Sequence, residues 1–111
     1  MIHEMLKGKK IVLASASPRR QKLFKMIGLN ALKLPSMVDE RNNWKNPAKF
    51  VMAAAEKKAL SVAKTMDRDC VIVAADTIVY HNHNILGKPT DRYEAAEFLK
   101  ELSGNEHFVY T

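Results

Sequence analysis

Short apolar runs separated by polar and amphipathic stretches are the main pattern of this chain, and they predict strands. The runs at 11–14 and 70–75 are uniformly apolar, which is typical of strands covered on both faces. The second run is the more strand-like, so we expect it to be a central buried strand and to continue through 78–80. The stretch 29–34 alternates weakly and predicts another strand. Residues 78–80 and 85–86 flank the polar turn HNHN and predict a hairpin.

Three amphipathic stretches predict helices between these strands. Two of them open with a polar cap residue followed by Pro18 or Pro47, and the second is expected to run to about Met66, before a polar turn at 67–69. The third is capped by Asp91 or the threonine before it, and a final strand begins in the closing HFVYT. Apolar positions at helical spacing predict the core-facing sides, which are Leu23, Phe24 and Ile27 in the first helix, Val51, Ala55, Val62 and Met66 in the second, and Tyr93, Ala96, Leu99 and Leu102 in the third.

Composition limits the classes of protein to which the chain can belong. Its 111 residues allow one compact domain, which we expect at 11–111 after a flexible leader at 1–10. The single cysteine, Cys70, rules out an internal disulfide and favours a reducing, cytoplasmic location. No apolar run approaches membrane-spanning length, so no membrane partner is expected. The net charge of +6 favours anionic partners, but the basic residues are scattered and only 7% of residues are aromatic, so nucleic acid is not an expected partner.

The turn after the first strand, 15–20 (SASPRR), is the strongest candidate for a binding site. Ser17 suits the N-cap of the following helix, and the proline after it suits the first helical position. Arg19 and Arg20 then lie at the positive end of the helix dipole, where cations are disfavoured unless an anion is bound. Free N–H groups, the hydroxyls of Ser15 and Ser17 and two guanidinium groups would suit a phosphate. On this stretch alone, a strand–helix corner with two solvated arginines explains the sequence equally well.

Charged residues elsewhere add to this candidate. Lys58 falls in the middle of the apolar stripe of the long helix, whereas Lys57 points away from it. A lysine in that position needs a partner or a pocket, or its ammonium must reach the edge of the stripe. Asp76 follows the predicted central strand, at the end where open α/β sheets bind ligands, although such an aspartate can also simply cap a turn. Lys88 is held between glycine and proline, but the rest of a Walker loop is missing.

These motifs, in this order, resemble the Maf family of nucleoside triphosphate pyrophosphatases, the septum-formation-inhibitor-like proteins. The resemblance runs from about residue 11 to the last residue. Each motif is short, but six in register are highly specific. The matching stretches are SxSPRR at 15–20, DE at 39–40, AxxKA at 55–59, ADT at 75–77, GKP at 87–89, and LSGxxH followed by VYT at 102–111.

The resemblance implies a fold, a reaction and a set of roles. The fold would be α/β, a Maf/ITPase-like mixed sheet with flanking helices. The reaction would be hydrolysis of a nucleoside triphosphate to the monophosphate and pyrophosphate with a divalent metal, Mg²⁺ or alternatively Mn²⁺. Asp76 would be the general base, and Glu40 would help Asp76 to hold the metal. The implied substrate-binding residues are Ser15, Ser17, Arg19, Arg20, Lys58, Thr77 and Lys88.

The resemblance also bears on specificity and on length. Arg19 and Thr77 resemble the branch that acts on dTTP and UTP, because the branch that acts on methylated GTP has tryptophan and glutamine there. Family members continue well past the VYT strand. We therefore expect an N-terminal portion, truncated at the C-terminal side, whose sheet is completed in a homodimer or by another chain. The alternative hypothesis is a non-catalytic nucleotide-binding or regulatory remnant, and an Asp76→Asn variant would distinguish turnover from binding.

Overall fold

A computed structural model describes residues 1–66 and 69–111 of the chain, with four helices and six strands among them. The predicted polar turn at 67–69 lies mostly outside the described residues. In chain order the elements are α1 (Ile2–Met5), β1 (Lys10–Leu13), α2 (Pro18–Met26), β2 (Ala31–Lys33), α3 (Pro47–Ala63), β3 (Cys70–Val73), β4 (Ile78–His81), β5 (Asn84–Leu86), α4 (Arg92–Leu102) and β6 (Phe108–Tyr110).

The first sheet is parallel, in the order β2-β1-β3. Val12 in β1 pairs with Leu32 on one side and Ile72 on the other. The prediction that 70–75 would be a central strand is therefore wrong, because β1 is the central strand of this sheet and β3 is an edge strand. Val12 is fully buried, whereas no residue of β3 is. Both runs are uniformly apolar, so their composition does not show which of them is paired with a strand on each side.

The second sheet is antiparallel, in the order β5-β4-β6. The predicted hairpin is present: His81 pairs with Asn84, and Asn82 and His83 between them have φ of 49° and 62°. Two consecutive positive φ values are typical of the type I′ turn, whose twist matches that of the flanking strands. The strand does not continue from 70–75 through 78–80 as predicted, because the chain leaves one sheet after Val73 and enters the other at Ile78. Parallel and antiparallel strands with helices nevertheless confirm the α/β class.

The long helix α3 packs through the stripe that its sequence predicts. Val51 and Val62 are buried as expected, and Ala54 replaces Ala55 as the fully buried alanine. Lys58 is buried in the middle of this stripe, with 8% of its surface exposed. Val62 joins β1 in the apolar core, and the helix ends at Ala63, three residues before the expected end.

In each of the two other long helices, most of the predicted core-facing positions are exposed, and one is partly buried. Leu23 and Ile27 of the α2 segment are half exposed, and Tyr93 and Leu99 in α4 are 83% and 71% exposed. Helix α4 instead turns a flank containing Phe98 toward the protein, and neither helix has a fully buried residue. An apolar stripe shows that a helix is amphipathic, but the position of its neighbours decides which flank is covered.

The first ten residues contain an element that the sequence did not predict. Helix α1 is a single turn with no buried residue, and a ring nitrogen of His3, Nε2, lies 2.7 Å from the carbonyl oxygen of Ile27. Within the described ranges, no helix combines the length and the apolar character needed to cross a bilayer.

Candidate functional site

A cavity of about 770 Å³ lies between the two sheets and the start of α2. Five separate segments of the chain supply its walls. All nine residues named as site candidates from the sequence line it: Ser15, Ser17, Arg19, Arg20, Glu40, Lys58, Asp76, Thr77 and Lys88. The tertiary structure thus brings the candidates together, and their chemical roles remain predictions.

The serine–arginine turn forms one wall. Ser15 is buried, and its hydroxyl oxygen accepts a hydrogen bond from the backbone N–H of Ser17 at 3.0 Å. The Ser17 hydroxyl accepts from the backbone N–H of Arg20 at 3.4 Å and caps α2 as predicted. Both serine oxygens therefore shape the turn, while each hydroxyl keeps its hydrogen for a ligand.

Lys58 lies at the centre of the site. Its ammonium donates to the carbonyl oxygen of Ala75 at 3.0 Å, and lies 3.4 Å from Asp76 Oδ1 and 3.2 Å from Glu40 Oε1. The side chains of Lys58 and Asp76 are only 10% and 11% exposed, whereas that of Glu40 is 43% exposed. The partner that a buried lysine requires is thus a pair of carboxylates, one deep in the cavity and one nearer its mouth.

The neighbouring acids Asp39 and Glu40 have different partners. Glu40 reaches Lys58, whereas Asp39 binds the guanidinium of Arg41 through Nε and Nη2 at 2.8–3.1 Å, and Asp39 is not among the residues that line the cavity. The hydrogen bond from the Arg41 side chain is the main reason that the pKa of Asp39 falls to about 2, with a smaller contribution from the Arg41 backbone N–H. Asp39 therefore stays ionised and paired at any pH near neutrality.

Thr77 connects two walls of the cavity. Its hydroxyl oxygen accepts a hydrogen bond from the Arg20 guanidinium at 2.9 Å and lies 2.9 Å from the hydroxyl of Thr111.

Arg19 and Lys88, two further cations that line the cavity, differ from Arg20 and Lys58. Among the residues that the structure describes, no hydrogen bond or ion pair engages the side chain of either. Two exposed cations beside a cavity are therefore available to an anionic ligand.

The sequence reading missed several residues of the site. Arg41, Phe50 and Ser36 also line the cavity. Lys57, taken from its position on the helix as an ordinary solvated lysine, donates from its ammonium to the carbonyl oxygen of Arg41 at 2.5 Å. Arg41 could have been found from its place beside the DE pair, but the Lys57 contact depends on a loop path that has no local signal.

Two carboxylates of the cavity, Glu40 and Asp76, could hold a divalent cation. Glu40 and Asp76 each contact Lys58 through one oxygen, and the other oxygen of each has no hydrogen bond from any described residue. Mg²⁺ prefers oxygen ligands and is commonly bound by one or two carboxylates together with substrate phosphates. Among residues 1–66 and 69–111, no group of three or more His, Cys, Asp or Glu side chains is arranged to hold a metal ion. A metal ion at Glu40 and Asp76 would therefore need further ligands from the phosphates. The donor set thus fits a metal that arrives with a phosphate ligand.

Comparisons with known proteins identify relatives of this sequence. The sequence model of the family described as Maf-like protein matches residues 10–111. A relative from Thermoanaerobacter sp. (strain X514), named dTTP/UTP pyrophosphatase, is 46% identical over 102 residues, which are 92% of this chain and 53% of the relative. Relatives with the same name from Pelotomaculum thermopropionicum and Bacillus cytotoxicus are 45% and 44% identical, each over 93% of this chain and 54% of the relative. The chain spans about half the length of the curated relatives it matches.

Proposed function

The chain belongs to the Maf family, and from that premise we propose that its cavity binds a nucleoside triphosphate and hydrolyses it to the monophosphate and pyrophosphate. The substrates that we propose are dTTP and UTP, because three of the relatives that share 44–46% of their aligned residues with this chain carry those substrates in their names. The proposal concerns the cavity of this chain, which spans about half the length of those relatives.

The observation that carries the proposal is the charge arrangement in the cavity. Arg19 and Lys88 are cations without a protein partner in the described ranges, and Arg20 is oriented toward the cavity by Thr77. The buried pair of Lys58 and Asp76 lines the same cavity. Cations that converge on one cavity suit the adjacent phosphates of a triphosphate, and they also stabilise the charge that develops on a leaving pyrophosphate.

Asp76 is the proposed general base. Its Oδ1 lies 3.4 Å from the Lys58 ammonium, and its other oxygen has no partner among the described residues, so the carboxylate would keep a lone pair to accept the proton of an attacking water. The oxygen of that water forms a bond to phosphorus, the bond from phosphorus to the bridging oxygen breaks, and the bridging oxygen leaves with pyrophosphate. Lys58 keeps the carboxylate in place during these changes.

Glu40 and Asp76 are the proposed ligands of Mg²⁺, with Mn²⁺ as the alternative. When bound, such a cation neutralises phosphate charge and favours departure of the pyrophosphate. We also propose that a second copy or another chain completes the sheet in the active protein. A cytoplasmic location is proposed as well, because nucleotides are the substrates and the lone cysteine is typical of a reducing compartment.

Product analysis tests the proposed reaction. The 111-residue chain is incubated with Mg²⁺ and dTTP, UTP, ATP or GTP, and nucleotides and inorganic products are separated by ion exchange. Asp76→Asn is the matched variant, since it keeps the shape of the side chain and removes the base. We expect monophosphate and pyrophosphate from dTTP and UTP, and a loss of about 10²–10⁴-fold in the variant, the usual contribution of a general base.

Each other outcome has a defined meaning. Nucleoside diphosphate and phosphate as products would refute the pyrophosphatase assignment. Equal rates with all four nucleotides would refute the proposed base preference. Binding of dTTP without any product would support the non-catalytic alternative, in which the chain holds a nucleotide but does not turn it over.

A further inference from the structure

The loop between β2 and α3, residues 34–46, carries Glu40 into the cavity although it contains no helix or strand. A carboxylate on such a loop is useful for binding or catalysis only if the loop backbone is held in place. Side chains near Glu40 show how it is held.

Two side chains hold the loop backbone at Glu40 and at the residue after it. The side-chain amide of Asn42 donates through Nδ2 to the backbone carbonyl oxygen of Glu40 at 3.4 Å and to that of Phe50 in α3 at 3.2 Å. The ammonium of Lys57 donates to the carbonyl oxygen of Arg41, the next residue along the loop. Consecutive carbonyl groups at 40 and 41 are therefore both tied to side chains that are anchored on, or reach, the same helix.

Lys57 and Lys58 are consecutive in α3 but point to different targets. Lys58 is buried and pairs directly with Glu40, whereas Lys57 is half buried and binds the loop backbone one residue away. A charged donor makes a stronger hydrogen bond to a carbonyl than a neutral one does. The loop is also tied at its start, where the Ser36 and Ser61 hydroxyls lie 2.7 Å apart.

We propose that Lys57 is a positioning residue for the reaction: by holding the carbonyl group of Arg41 it keeps the β2–α3 loop against α3 and Glu40 within reach of Lys58. The proposal rests on the function proposed above and names a residue that acts on the site through Glu40. Lys57 itself is not among the residues that line the cavity, so its proposed effect on the reaction is indirect.

The single tryptophan of the chain allows a test that does not depend on turnover. Trp44 lies in the same loop, 51% exposed, with the ammonium of Lys49 4.7 Å from its ring centre. Acrylamide quenching of Trp44 fluorescence is compared in the wild type, Lys57→Met, Lys57→Arg and Lys64→Met. Lys64 is an exposed lysine at the end of α3, outside the cavity lining, and serves as the matched control. We expect Lys57→Met to raise the quenching constant by up to about twofold as the loop is released, and Lys57→Arg to restore most of the protection.

A double-mutant cycle then tests whether Lys57 acts through Glu40. We expect Lys57→Met to lower kcat/KM for dTTP by about tenfold, as removal of an outer-sphere partner often does. In a Glu40→Gln background the same substitution is expected to have almost no further effect, a non-additivity that a general loss of stability would not produce. If the wild type binds dTTP without turnover, the cycle is measured on the dissociation constant.

The outcomes separate this proposal from the proposed function. Quenching in Lys57→Met equal to that in Lys64→Met would overturn the positioning role, whatever the activity. Full additivity of Lys57→Met and Glu40→Gln would also overturn it, because Lys57 would then act elsewhere. A wild type that neither binds nor hydrolyses dTTP would refute the proposed function, while the quenching result would still decide whether Lys57 holds the loop.

Discussion

Replacing Lys58 by methionine removes the ammonium at the centre of the site and retains most of the apolar stem. The variant leaves Asp76 as a largely buried carboxylate without its partner, and it leaves the carbonyl of Ala75 without a donor. Breaking a buried ion pair from one side typically costs about 3–5 kcal/mol. The contact with Glu40 adds little, since that side chain is 43% exposed and solvent screens it.

We therefore expect Lys58→Met to lower the free energy of unfolding by about 2–4 kcal/mol, the lower part of the range reflecting water in the open cavity. A domain of this size has about 5–15 kcal/mol in total, so the effect would be large. The measurement is urea denaturation followed by far-ultraviolet circular dichroism, with linear extrapolation to water. Lys64→Met, at an exposed position, is the control and should change stability by less than about 0.5 kcal/mol.

The double variant Lys58→Met/Asp76→Asn makes the test specific. With both charges gone, no carboxylate is stranded, so we expect the double variant to recover about 1–2 kcal/mol relative to Lys58→Met alone. A Lys58→Met variant as stable as Lys64→Met would refute the reasoning. A double variant less stable than Lys58→Met would contradict it too, since the stability loss would then not come from the unpaired Asp76.

Three other predictions follow from single contacts. Carboxyl NMR titration should give Asp39 a pKa of about 2, so the stabilisation from its ion pair with Arg41 is complete above about pH 3.8 and is lost as the pH falls through 2. In Arg41→Gln the pKa of Asp39 should return toward 3.8, and an unchanged pKa would contradict the assignment. His83→Gly should raise the free energy of unfolding by about 0.5–1 kcal/mol, because φ of 62° is strained for histidine and relaxed for glycine, and any destabilisation would count against the turn. Ser17→Ala should cost about 0.5–1 kcal/mol in thermal denaturation, at the lower end for a cap because its bond to the Arg20 N–H is 3.4 Å long, and no loss would show that the cap is not formed.

The element boundaries show how far local sequence determines structure. The caps of α2, α3 and α4 are Ser17, Asn46 and Asp91, and each accepts a hydrogen bond from the N–H three residues later. The hairpin at 78–86 forms as its turn residues predict. Both features depend on residues within a few positions of one another, so the order of residues is sufficient to predict them. Lys58 was also detectable, since one charge inside an otherwise apolar stripe is a conflict that only a buried partner resolves.

The sequence by itself determined the three longer helices and most strands, and its motifs named nine of the residues that line the cavity. The tertiary structure alone decided which strand is central, which flank of α4 is covered and which of Asp39 and Glu40 enters the site. It also gave Lys57 its partner in a loop sixteen residues away. The physical reason is the range of the interactions: caps and turns are made by near neighbours, whereas burial and ion pairing depend on segments that meet only after the chain has folded.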